Sequence, residues 1–226
     1  NKKRFQVDAD LLIENILEYQ PDFVVLVNPN SPTGQHVSKE AMLKIINSIP
    51  LATTVFIDET YIEYQGKEES LETEAVERSN LIIIKSMSKT YALSGVRVGY
   101  LVANKDFISK IKCITPPWAV SLPGQVAAVE ALQDEDYYEK QYKETHRLRE
   151  KFVHALKDIH SIKIYNGIAN YVLIELIDPK LSAQEIVETL RTKNIFIRNC
   201  DSMSNQFQDN FIRVAVVKEK HFDILL

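Results

Sequence analysis

Apolar and polar positions along this 226-residue chain change rhythm repeatedly, and the changes mark its elements. In "DADLLIENILEYQPD" Leu12, Ile16 and Tyr19 recur at helical spacing, with Asp8 as N-cap and Pro21 as the stop. "FVVLV" follows, a short apolar run bounded by turn residues, and reads as a strand buried on both faces. Two prolines and a glycine in "NPNSPTG" forbid regular structure. "SKEAMLKIINSI" returns to helical spacing behind Ser38 as N-cap, and "TTVFID", "LIIIKS" and "VRVGYLVA" read as three further strands.

Strands that alternate with helices predict an α/β fold whose sheet is mostly parallel, with helices on both faces. From Ser121 to Lys157 the pattern is long and helical, rich in Ala, Glu, Lys and Leu. Beyond it, "SIKIYNG", "NYVLIEL", "NIFIRNC" and "NFIRVAVV" read as strands, with "SAQEIVETLRTK" a helix among them. The expected organisation is part of a large domain over residues 1–145, closed by the long linking helix, then a smaller α+β domain over 146–226. The chain opens at Asn1 and closes on "HFDILL" inside a helical pattern, so both ends read as cut. No internal repeat or low-complexity segment interrupts it.

Charge and cysteine usage narrow the function. A net charge of -4 gives no reason to expect nucleic acid or an anionic membrane as partner, so any anion site must be a local arrangement. No apolar run approaches a membrane span and no secretory signal precedes the fold. Cys113 and Cys200 lie far apart without a CxxC or a histidine-rich companion; they read as two small hydrophobes in a reducing, cytoplasmic setting, with no metal site.

In parallel α/β sheets, ligands gather at the carboxyl ends of the strands. The first strand here delivers Asn30, Ser31, Thr33 and Gly34; the second Asp58 and Tyr61; the third Ser86, Ser88 and Lys89; Arg97 opens the fourth. Polar chemistry is concentrated at one edge of the sheet. The four segments "NPNSPTG", "DETY", "SMSKTYALSGVRVGY" and "FIRVAV", in that order, resemble the fold-type I aminotransferases of class I/II. Within them the chain is most similar to the branch of histidinol-phosphate aminotransferases and threonine-phosphate decarboxylases.

That resemblance implies pyridoxal 5'-phosphate as cofactor, an electron sink for a carbanion at an amino-acid α-carbon. It puts Lys89 in the catalytic role, holding the cofactor aldehyde and then moving a proton. It implies Asp58 facing the pyridine nitrogen, Tyr61 at the ring hydroxyl, and Ser86, Ser88 and Arg97 around the phosphate, where a guanidinium suits bidentate contact. Relatives commonly carry a second asparagine where this chain has Ser31, so a shorter hydroxyl stands at the ring contact and Asn30 shapes the turn. Arg213, with Arg198 as partner, matches the arginines that hold a substrate carboxylate or phosphate. Lys85 is one residue too early for the site and reads as a solvated or structural charge; Glu59 is given no cofactor role. Asn170 reads as structural, and Trp118 in "TPPWAVS" as either a substrate-side loop residue or core packing.

The implied activity is a cytoplasmic transferase: an aminotransferase moving an amino group between a small amino acid or amine, phosphorylated or not, and a 2-oxo acid, in a homodimer. Two alternatives stand beside it, decarboxylation of a phosphorylated amino acid and a catalytically silent module. No GxGxxG follows any strand, which argues against a dinucleotide-binding domain. The family also carries a segment ahead of this chain's first residue, with phosphate-binding backbone amides and a ring that stacks on the pyridine. Phe5 lies too early to be that ring, so the resemblance implies a site completed from outside these residues, and weak cofactor binding by the chain alone.

Overall fold

The computed structural model describes residues 5–221, so the helical reading of "HFDILL" lies outside the described residues beyond His221. The chain divides into two compact units: Asn1–Pro29 with His36–Glu139, and Asn30–Gln35 with Lys140–Leu226.

The first unit begins with α1 (Ala9–Tyr19), whose N-cap Asp8 accepts the Leu11 amide at 3.1 Å and whose end is set by Gln20 in the left-handed region. Ile16 faces inward, but Tyr19, the last residue of the helix, is exposed. Then come β1 (Phe23–Val27), α2 (Lys39–Ser48) capped by Ser38, β2 (Thr54–Asp58), the short α3 (Glu72–Glu77), β3 (Leu81–Ser86) and β4 (Gly99–Ala103). The sheet runs β1-β2-β3-β4, parallel through β3 and antiparallel at β4. α4 (Lys105–Lys112) and α5 (Leu122–Gln133) follow, and Asp134 separates α5 from α6 (Glu135–Ala155), so the long helical pattern is two helices.

Alternation decides what each strand faces. Val24, Val55, Ile57, Leu81 and Ile83 pack with Ile16, Met42, Ile45, Ile46 and Ala75 into one core, which covers one face with helices. The other face is open at β1: Phe23 and Val25 are 65% and 68% exposed, and Ile84 of β3 is exposed as well. The reading of "FVVLV" as buried on both faces is therefore corrected. A five-residue apolar run does not distinguish a doubly covered strand from one whose second face has no neighbour among the described residues.

In the second unit, β5 (Ile162–Tyr165), β6 (Tyr171–Leu176), β7 (Arg198–Asn199) and β8 (Phe211–Ala215) form an antiparallel sheet in the order β5-β6-β8-β7. Leu148 and Phe152 of α6 and Val187 of α7 (Ala183–Thr192) pack on Val172, Ile174, Ile212 and Val214. Of the segment "NIFIRNC" only Arg198–Asn199 forms a strand, β7, just beyond the apolar run, with Phe196 left exposed. Residues 30–35 are held in this unit by a close approach of glycines. Gly34 has φ +67, its carbonyl accepts the Ile168 amide at 2.9 Å, and a Cβ on Gly167 would sit 2.6 Å from Gly34 Cα. Gly167→Ala is expected to cost about 1–3 kcal/mol by this overlap; a denaturant midpoint equal to the wild type's would refute it.

Candidate active site

The open face of the first sheet ends in a hydrogen-bonded chain. Asp58 Oδ1 accepts the Thr60 amide at 2.9 Å, an Asx turn that fixes the carboxylate at the end of β2. Thr60 Oγ1 accepts the Ser86 amide at 3.2 Å, and Ser86 Oγ accepts the Ser88 amide at 3.3 Å. Asp58, Thr60, Ser86, Ser88 and Arg97 line a depression of about 570 Å³ floored by Ile84, Gly99 and Leu101. The antiparallel turn of β4 brings Arg97 there: Ser86 pairs with Gly99, so the start of β4 lies beside the end of β3. Arg97 itself precedes β4 by two residues, in the left-handed region at φ 54, with Nη1 donating to the Ser94 carbonyl at 2.9 Å.

Two expected residues of the first unit are not in this lining. Lys89 is exposed, on the turn where its carbonyl accepts the Ala92 amide at 3.2 Å. Tyr61 is buried at the start of the 3₁₀ turn Ile62–Tyr64. Thr60 was missed from sequence, although its place two residues after a strand-ending Asp is the signature of an Asx turn.

Lys85 is not solvated. It is buried beside Glu59, Glu63 and Glu72, the structural half of its reading. Counting alternate positions from Leu81 through Ile83 places it on the helix-covered face, a signal available in "LIIIKS". Burial raises the carboxyls of Glu59 and Glu63 above the ordinary range, against the pull of Lys85.

The other expected residues lie in the second unit. Arg213 Nη1 donates to Ser31 Oγ at 3.0 Å, and its guanidinium stands 4.9 Å from the centre of the Tyr171 ring. The Tyr171 hydroxyl donates to the Asn30 carbonyl at 3.0 Å. Asn30 closes its own turn, its carbonyl accepting the Gly34 amide at 2.7 Å and its side chain donating to Thr33 Oγ1 at 2.9 Å. Arg198 is the cross-strand partner of Arg213 but is exposed, with Nη2 only 3.4 Å from Ser202 Oγ. Asn170 serves the backbone, its carbonyl accepting the Val216 amide at 2.8 Å.

Trp118 is 92% exposed and packs into no core of the described residues. Cys200 is buried, and burial pushes its thiol up to about 11, whereas Cys113 is exposed at the end of α4 and is no core hydrophobe. Among the described residues no cluster of three or more His, Cys, Asp or Glu could hold a metal ion. No described helix is long and apolar enough to cross a membrane.

The family model for aminotransferase class I and II matches residues 1–226, and the chain belongs to that family. It is 33% identical over 215 residues to the histidinol-phosphate aminotransferase of Methanocaldococcus jannaschii, covering 95% of this chain and 56% of the relative. The chain thus spans little more than half the length of that curated relative. The crystal structure of the histidinol-phosphate aminotransferase from Clostridium acetobutylicum superposes with a TM-score of 0.88 at 30% identity, covering 99% of this chain and 67% of the other. The L-threonine-O-3-phosphate decarboxylase of Porphyromonas gingivalis superposes at 0.75 with 25% identity, over 90% of this chain and 62% of that one.

Proposed function

We propose that this chain is part of a pyridoxal-phosphate-dependent aminotransferase, cytoplasmic and homodimeric, that exchanges an amino group between a small phosphorylated amino acid or amine and a 2-oxo acid. The observation that carries the reading is the run from Asp58 through Thr60 and Ser86 to Ser88, with Arg97 beside it on one depression. Its donor set fits the cofactor: a carboxylate with one oxygen still open for a protonated ring nitrogen, and hydroxyls plus a guanidinium for a phosphate. When bound, pyridoxal phosphate supplies an electron sink for charge at the substrate α-carbon.

The protein's own groups then have definable tasks. Asp58, held by the Thr60 amide, keeps a proton on the ring nitrogen. Ser86, Ser88 and Arg97 bind the phosphate. Lys89, exposed on its turn, is free to hold the cofactor by its amine and to carry a proton to and from the α-carbon. Arg213 binds the substrate carboxylate or phosphate, with Arg198 beside it. Ser31 Oγ, which already accepts from Arg213, serves the substrate side and can still donate its proton to the ring hydroxyl; Tyr61 is the other donor assigned to that hydroxyl. In the proposed division, residues 1–145 supply the cofactor contacts and 146–226 the substrate arginines.

The names of the relatives in both Methanocaldococcus and Clostridium favour transamination. The Porphyromonas structure keeps decarboxylation as the rival. A product assay separates them. With pyridoxal phosphate supplied, histidinol phosphate and 2-oxoglutarate are expected to yield glutamate, and threonine phosphate to yield no carbon dioxide. Carbon dioxide release without glutamate would replace the reading by the rival. Absence of both products would mean that a segment outside these residues is required or that the module is silent, and assay of a longer chain separates those two.

A further inference from the structure

Immediately beyond Asp58, and immediately before Ser86, the chain turns a charged side chain to the opposite face of the sheet. Glu59 and Lys85 are 1% and 5% exposed. Lys85 Nζ lies 2.9 Å from Glu72 Oε1, 3.1 Å from Glu63 Oε1 and 3.8 Å from Glu59 Oε2. Glu59 is gripped from its far side as well: Oε2 accepts the Ser70 hydroxyl at 2.5 Å and Oε1 the Leu71 amide at 2.9 Å. Glu72 Oε1 also accepts the Tyr100 hydroxyl at 2.9 Å, and the Tyr91 phenol acts on Tyr100 electrostatically. Glu63 Oε2 is buried without a hydrogen-bond partner. From α2, Lys39 is directed to the Ser70 carbonyl at 2.9 Å and to Glu74 at 3.0 Å. One ammonium therefore ties the end of β2, the Ile62–Tyr64 turn, the first turn of α3, and β3.

We infer that Lys85 and the carboxylates around it are a positioning centre for the reactive face: they set the backbone that presents Asp58, Thr60 and Ser86, and their hold weakens as pH rises. The lever is short. Glu59 is bonded to both Asp58 and Thr60, and its amide donates to the Ile84 carbonyl at 2.9 Å; Lys85 is bonded to Ser86. A shift of either charged side chain moves the hydrogen-bonded chain on the other face. Its functional meaning rests on the proposed cofactor reading; its geometry does not.

The pH dependence follows from charge. Three carboxylates on one buried cation leave surplus negative charge, and burial raises Glu59 and Glu63. Burial alone would lower Lys85, but Glu63, Glu72 and Glu59 together hold it above its ordinary value. An acid whose folded value is raised contributes stability below its ordinary 4.5 and loses it as pH climbs through the folded value.

Amide hydrogen exchange on the full chain tests the geometry, with each rate corrected for intrinsic base catalysis. From below pH 4.5, the ordinary carboxyl value, to alkaline pH, the Thr60 and Ser86 amides are expected to lose about tenfold in protection relative to Val55, whose amide donates to the Asn80 carbonyl just before β3. Glu63→Gln, which cannot ionise, is expected to remove that relative change. An unchanged ratio in the wild type, or an identical loss in Glu63→Gln, overturns the inference. A second arm loads the protein with pyridoxal phosphate: affinity is expected to fall about tenfold in Glu63→Ala and to stay near wild type in Glu63→Gln. Equal affinity in all three chains would also overturn the positioning role. If exchange behaves as expected while neither this chain nor a longer one that includes the preceding segment takes up cofactor, the positioning centre stands and the cofactor reading fails.

Discussion

Lys89→Ala is expected to lose the visible absorption of protein-bound pyridoxal phosphate and nearly all turnover. Lys89 sits on a turn pinned at both ends: Met87 and Tyr91 are buried, and the Met87 amide donates to the Val98 carbonyl at 3.2 Å. Between those anchors the Lys89 side chain is exposed, so its amine can reach a ligand without unfolding its surroundings. The lost proton transfer alone predicts a fall of roughly 10²–10⁴-fold in kcat, and loss of the covalent anchor adds to it. Lys89→Arg is expected to fail as well, because a guanidinium stays protonated and cannot act as a base. The measurement is an absorbance spectrum and a turnover rate on both variants in the same buffer. If Lys89→Ala keeps both the band and the rate, the catalytic role belongs to another amine and the assignment is wrong.

What the chain revealed before its structure depended on the range of each signal. Caps are local, so Asp8 and Ser38 mark their helices as read. The motif order placed Asp58, Ser86, Ser88 and Arg97 together, yet Arg97 arrives only because β4 runs antiparallel, a fact carried by register and not by spacing. "FVVLV" misled because periodicity reports what a strand can bury, not what is there to bury it. Ser31 shows another limit. Its hydroxyl accepts from Arg213, 182 positions away, a contact that no spacing along the chain reports. Lys85 was the residue with the clearest overlooked signal, since strand alternation alone turns it inward.

Lys85→Met is the substitution expected to cost the most stability. It removes the only cation among Glu59, Glu63 and Glu72 in the contacts described, while the thioether refills much of the space of the lysine stem. Breaking a buried pair by deleting one partner typically costs about 3–5 kcal/mol, because the opposite charge stays buried without compensation. The pH dependence separates that cost from a packing fault. Without the ammonium the carboxyls bind protons more tightly when folded, so the variant's stability should fall more steeply as pH rises above 4.5, the ordinary carboxyl value. Melting curves of wild type and Lys85→Met should converge in acid and diverge toward alkaline pH, and Lys85→Arg should follow the wild type. A constant gap between the curves would assign the loss to packing alone. Adding Glu63→Gln to Lys85→Met supplies the decisive comparison: it deletes one of the stranded charges at nearly constant volume, so the double variant should be more stable than Lys85→Met at neutral pH, a recovery that no cavity explanation provides.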